Sequence, residues 1–267
     1  MTVNALVLAG TRRGAEDPMA KAAGVSHKAI LPVAGVPMVM RVLDALCRCP
    51  EIGEIAVSIE RPEVIEALAE FQALNARRPI RLLVSEDSPS RSAAAGLQAL
   101  GAPLVLTTAD HALLRPEWVS GFLAAAPAGA DVAAAVARAE TVKAAAPDTV
   151  RTYLRFADAA VSGCNLFLLA TPKAEGVLGL WKTVEAYRKK PIRLAWLLGP
   201  GALLKLALGR LTLGEAAARL GRLAGCEAAV VELPFGRAAI DVDKPADLEL
   251  VERLLADDKP NSPSSRP

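Results

Sequence analysis

Val3-Asn4-Ala5-Leu6-Val7-Leu8-Ala9-Gly10 is a short apolar run that ends on a glycine, and Thr11-Arg12-Arg13-Gly14 follows at once. An uncharged run of this length reads as a buried strand, and the two glycines with their arginines read as the loop it feeds. Lys28 adds a further cation just ahead of Ala29-Ile30-Leu31-Pro32-Val33. Such a loop suits an anion. Glycine lets the main chain approach closely, converging N–H groups meet phosphate oxygens, and Arg and Lys neutralise charge. The spacing matches neither GxxxxGK[ST] nor GxGxxG, so by itself it does not separate a phosphate loop from an ordinary surface turn.

Outward from that run, strand-like and helical patterns alternate. Strands are expected at 3–8, 55–59, 80–84, 103–107 and 131–136, with helices near 37–48, 62–76, 91–100 and 115–125. Pro37, Pro62 and Pro116 fall where a first-turn proline is tolerated. This alternation predicts an α/β fold: a Rossmann-like, three-layer α/β/α arrangement around a mostly parallel mixed sheet. Ligands of such sheets gather beyond the carboxyl ends of the strands. Gly10 and Asp110 both fall on that edge. After about residue 140 the pattern changes. Strands are expected at 151–156 and, after the turn Ser162-Gly163, at 164–169; residues 175–225 are helical by composition. A strand at 228–233 and a helix from Pro245 to about Ala256 complete one domain over 1–256, and 257–267 reads as a disordered Pro/Ser-rich tail.

With 267 residues and 52% hydrophobic content the chain can bury a large core, and a net charge of +2 excludes nucleic-acid binding driven by bulk charge. Cys47 and Cys49 lack the second pair that a zinc site needs, so the four cysteines are expected to be reduced. No signal peptide and no apolar run of spanning length is read, which predicts a cytoplasmic protein.

Two acidic motifs fall beyond expected strands. Asp110 follows Leu104-Val105-Leu106 and is either a hard-oxygen ligand for Mg²⁺ or a turn cap. His111 beside it reads better as a structural turn residue. In Asp241-Val242-Asp243, two carboxylates one residue apart project to the same side of an extended segment. Asp247 then sits in the first turn of the Pro245 helix, where negative charge is favoured. A phosphate-gripping loop and two distant carboxylates on one sheet edge describe a metal–nucleotide site.

These motifs resemble the MobA-like nucleotidyltransferases. Leu8-Ala9-Gly10 with Arg13-Gly14, then His27-Lys28-Ala29-Ile30-Leu31-Pro32-Val33-Ala34-Gly35-Val36-Pro37-Met38, is similar to the family's LAGG-x-RMG…K-x-L-x-x-x-G-x-P-L signature, with Thr11 in place of its second glycine. Asp241-Val242-Asp243-Lys244-Pro245-Ala246-Asp247-Leu248 is similar to its D-x-D-T-P-x-D-L element, with Lys244 in place of threonine. The resemblance implies a GT-A-like nucleotidyltransferase fold, with a nucleotide-binding half over about 1–140 and an acceptor-binding half over 141–256. It also implies a Mg²⁺-dependent transfer of a nucleoside monophosphate from an NTP to a small phosphorylated acceptor, with release of pyrophosphate. Ala9, Gly10, Thr11, Arg12, Arg13 and Gly14 would hold the triphosphate, and Lys28 with Arg13 would stabilise the reacting phosphate. Asp110 and Asp243 would hold Mg²⁺, with Asp241 as a helper. Ser92 and Gly96 would contact base and ribose, and Gly163 and Asn165 would form an acceptor-side turn. The Ser92–Leu97 stretch leans toward the cytidylyltransferase pattern.

The segment 181–210 holds seven basic residues against the single acid Glu185, interleaved with Trp181, Tyr187 and Trp196. It reads as a helical subdomain with its own core; a lid, a homodimer contact or a peripheral contact with an anionic membrane surface are the alternatives. Two competing functions stay open: a nucleotide-sugar glycosyltransferase, whose related fold also uses D-x-D, and a non-catalytic nucleotide-binding regulator.

Overall fold

The computed structural model describes residues 2–11, 16–187 and 199–258. In chain order the strands are β1 (Val3–Leu8), β2 (Pro32–Val33), β3 (Val36–Pro37), β4 (Ile52–Ile59) and β5 (Ile80–Val84). They are followed by β6 (Leu104–Thr108), β7 (Val132–Arg138), β8 (Leu154–Arg155), β9 (Ala160–Leu169) and β10 (Ala228–Glu232). An eight-stranded sheet runs in the order β10-β7-β9-β6-β1-β4-β5, with β8 paired to the start of β9. β2 and β3 form a separate antiparallel hairpin.

β1 explains the architecture. It pairs in parallel with β4 on one side and β6 on the other, so its apolar run is buried on both faces instead of alternating with polar residues. Ala5 and Val7 pack into one core layer with helices Met38–Cys47, Pro116–Ala125 and Pro245–Asp257. Leu6 points to the other, under helices Pro89–Leu100 and Glu175–Tyr187. Each fully buried leucine in these layers contributes roughly 1.5–3 kcal/mol of transfer free energy. Gly96 is what lets helix Pro89–Leu100 sit down on β1: a Cβ there would stand 2.2 Å from Leu6 Cδ2.

β9 breaks the parallel order. It lies antiparallel between β6 and β7, and its register with β7 shifts between Ala134 and Val136. Asn165 sits at that irregularity with φ of +48°, a left-handed conformation that asparagine tolerates better than most residues. The bulge re-aims its side chain.

The expected strands and helices of the first half are present, with shifted ends. The expected helix at 62–76 is two helices, Glu63–Glu66 and Ala69–Arg77, separated where Leu68 is extended. Helix Pro89–Leu100 starts earlier than expected because Ser88 caps it and Pro89 occupies its first turn. The expected turn at Ser162-Gly163 is not one: both residues lie inside β9, Gly163 opposite Val136. The strand expected at 151–156 is only β8, and the helix Ala139–Ala145 was not anticipated. The helical stretch 175–225 resolves into Glu175–Tyr187, Pro200–Ala207 and Leu213–Ala224, while 188–198 lies outside the described residues. So do 259–267 of the expected tail, whose first residue, Asp257, closes the last helix. No described helix is long and apolar enough to cross a membrane.

Candidate active site

The carboxyl ends of β1, β4, β5 and β6 share one edge, and the expected residues gather there. A cleft of about 350 Å³ is lined by Ala9, Gly10, Thr11, Lys28, Asp110 and Asp243, among others. Ala9 donates its N–H to the Ser58 carbonyl at 2.8 Å, which fixes the loop to the end of β4. Arg12, Arg13 and Gly14 lie outside the described residues.

Lys28 opens a short 3₁₀ turn, Lys28–Ile30, and its side chain is 15% exposed. Its Nζ donates to Asp243 Oδ1 at 2.8 Å and to Asp110 Oδ2 at 3.4 Å. Asp110 also accepts from Thr108 Oγ1 at 2.5 Å. Burial works against the Lys28 ammonium, but the two carboxylates outweigh it and hold its pKa above the usual lysine value. For Asp110 the balance reverses. Burial raises its pKa, Lys28 and Thr108 offset only part of that, and the charges of Asp241 and Asp243 add to it. Burial therefore outweighs the ion pair for Asp110, and its pKa lies above the usual carboxylate range.

Asp241 stands apart from Asp243. Its Oδ1 accepts from Arg151 Nη1 and its Oδ2 from Asn165 Nδ2 at 2.9 Å. Asn165 thus supports an acidic residue of the site from within β9, and Gly163 is exposed beside it with no described atom within 4 Å of where a Cβ would stand. Ser92 lines a smaller cavity of about 60 Å³ with Ser85, Glu86, Asp87 and Ser88, and its Oγ accepts from the Glu86 N–H at 2.9 Å. Gly96 corrects an expectation: it is buried against Leu6 and packs helix on strand, so it offers nothing to a base or ribose.

Sequence reasoning missed two residues. Arg151 is one. Glu60, just past β4, is the other: its carboxylate accepts from the Thr11 hydroxyl at 2.9 Å and the Thr11 N–H at 3.2 Å. An acid directly after an apolar strand, as with Asp110, was the available signal. Arg151, on an irregular segment, carried none.

His111 is fully buried and stacks on Trp118 at 6.0 Å between ring centroids. Burial pulls its pKa down to about 4. The unfolded chain would take up that proton near pH 6.5, so stability present above about 6.5 is lost as pH falls toward 4, on the order of 3 kcal/mol in all. Urea unfolding between pH 7 and pH 4.5 should show this loss, and His111→Phe should flatten it.

A doubly layered α/β sheet whose carboxyl edge brings a glycine turn, one lysine and two carboxylates together is the framework of a nucleotidyltransferase. The chain belongs to the family of MobA-like NTP transferase domains, whose model matches residues 5–167. A hypothetical transferase from Thermus thermophilus is 33% identical, with a TM-score of 0.78 over 93% of this chain and 100% of that one. The 4-diphosphocytidyl-2C-methyl-D-erythritol synthase of Anaerococcus prevotii is 12% identical with a TM-score of 0.59, covering 96% of each chain. A CMP:2-keto-3-deoxy-manno-octonic acid synthetase solved with CTP is 17% identical with a TM-score of 0.56, covering 96% of this chain and 99% of that one. These last two share the GT-A-like fold. No curated protein sequence matches the chain.

Proposed function

We propose that the protein transfers a nucleoside monophosphate from an NTP to a small phosphorylated acceptor such as a phosphosugar, a phosphopolyol, or a lipid-headgroup or cofactor precursor. The observation that carries this reading is Lys28 Nζ held between Asp110 and Asp243 on the rim of the glycine-loop cleft. An acceptor phosphate oxygen forms the new bond to the α-phosphorus, and the bond from that phosphorus to the oxygen of the β-phosphate breaks, releasing pyrophosphate. Such a displacement asks for alignment and charge neutralisation more than for covalent help. The loop N–H groups and Lys28 supply donors where charge develops. The stretch Ser85–Ser92 borders the loop and lines a small cavity beside it, which supports placing the base and ribose on that side.

Among the described residues no three His, Cys, Asp or Glu side chains gather into a full metal cluster. Mg²⁺ takes hard oxygens from one or two carboxylates together with phosphate oxygens, and Asp110 with Asp243 is such a pair. When bound there it would neutralise the triphosphate and favour departure of pyrophosphate.

The D-x-D element offers one carboxylate to the cleft, since Asp241 is turned to Arg151 and Asn165. That supports nucleotidyl transfer over the nucleotide-sugar reading. A pyrophosphate-release screen of four NTPs against phosphosugars, phosphopolyols and molybdopterin-type acceptors tests it. Release with one NTP and acceptor pair is the expected result; sugar transfer from a nucleotide-sugar without pyrophosphate release would overturn it.

A further inference from the structure

The segment that carries Asp243 is anchored residue by residue. Arg151 takes two positions on Asp241: Nη1 donates to its carboxylate and Nη2 to its backbone carbonyl, the latter at 2.8 Å. Asn165 takes the second carboxylate oxygen at 2.9 Å. Val242, fully buried, donates its N–H to the Asp110 carbonyl at 3.0 Å. Asp247 then accepts from the N–H groups of Asp243 and Lys244 at 3.2 and 3.1 Å. Every link of 241–244 is therefore tied, and the Asp243 side chain is the one left facing Lys28.

Arg151 is built for this work. Its side chain is 11% exposed and sits on an irregular stretch where Thr149, Arg151 and Tyr153 are half-buried while Val150 and Leu154 stay exposed. A planar guanidinium can grip a carboxylate and a carbonyl of the same residue at once, whereas an ammonium lacks that fixed fork. Asn165 reaches the site only because the β9 bulge holds it at a left-handed φ. Two independent features of the acceptor-side half thus converge on one acidic residue that does not itself face the cleft.

We propose that Arg151, seconded by Asn165, is a positioning residue: by gripping Asp241 it sets where the Asp243 carboxylate stands relative to Asp110, and so sets the affinity of the pair for a divalent cation. This rests on the reading of Asp110 and Asp243 as the ion-holding carboxylates. Groups that orient a ligand from behind typically change metal affinity by about 10–100-fold when removed. An ion pair that served stability alone would leave the affinity of the folded protein untouched.

The test is Mn²⁺ binding to the full chain, followed by the loss of the free-ion electron paramagnetic resonance signal. Arg151→Ala is expected to weaken Mn²⁺ binding about 10–100-fold, Arg151→Lys by less, and Asn165→Ala in the same direction. Near-ultraviolet circular dichroism checks that each variant is folded at the temperature of measurement. If Arg151→Ala fails to fold, Arg151→Lys and Asn165→Ala decide. Folded variants that bind Mn²⁺ within twofold of the parent overturn the positioning role alone. A parent that binds Mn²⁺ no better than Asp110→Asn overturns the site reading and this proposal together.

Discussion

Lys28→Ala is expected to lower nucleotidyl transfer by about 10²–10³-fold, the range seen when one preorganised donor to a developing charge is removed. The loss should appear in kcat as well as kcat/KM, because the ammonium sits between two carboxylates at the cleft and is proposed to act where charge accumulates on the reacting phosphate. A second signature follows from the electrostatics. Asp110 already has a raised pKa from burial, and Lys28 is the largest influence holding it down. With the ammonium gone, burial acts with less opposition and the carboxyl protonates at higher pH. Activity that needs the carboxylate is lost as pH falls through that value, so the acid limb of the residual pH–rate profile should move to higher pH. Pyrophosphate release measured across pH checks both effects. Near-parent rates in Lys28→Ala would remove the residue from the mechanism.

Asp110→Asn should separate activity from stability. It keeps shape and removes one of the two negative charges proposed to hold Mg²⁺. We expect turnover to fall at least about a hundredfold, with a higher Mg²⁺ requirement in whatever activity remains. The folded state penalises ionisation of this half-buried carboxyl: the raised pKa means that stability is present below the unfolded value and declines as pH rises through the folded one. At pH 7.5 the amide avoids that penalty, and Lys28 keeps Asp243 as its partner at 2.8 Å. Unfolding in urea at pH 7.5 should therefore show stability equal to or above that of the parent. A variant that loses activity only because it unfolds would contradict this account.

Much of the sheet was legible because β1, β4 and β6 are parallel strands largely buried on both faces, and such strands write mostly apolar runs. Gly10 and Asp110 were legible as edge residues for the same reason, since the end of an apolar run marks where the edge lies. The antiparallel β9 was read too short and its bulge was invisible: Ser162-Gly163 looks like a turn in sequence, and only the register against β7 shows that it continues the strand. Asp241 and Asp243 were read as facing one side, as alternation in an extended segment implies. Their different fates depend on Arg151 and Asn165, which lie 90 and 76 residues from Asp241. Gly96 was misread because a glycine in a helix can serve close packing as well as close approach to a ligand, and the Leu6 side chain that decides between them is distant in sequence.

The pairing of Lys28 with Asp243 joins residues 215 positions apart, and Asp243 lies beyond the stretch matched by the family model. During synthesis the glycine turn and Asp110 emerge well before the second acid, which comes just ahead of helix Pro245–Asp257. A chain cut before residue 241 would own the whole sheet, and its Lys28 would keep Asp110 alone as a carboxylate partner.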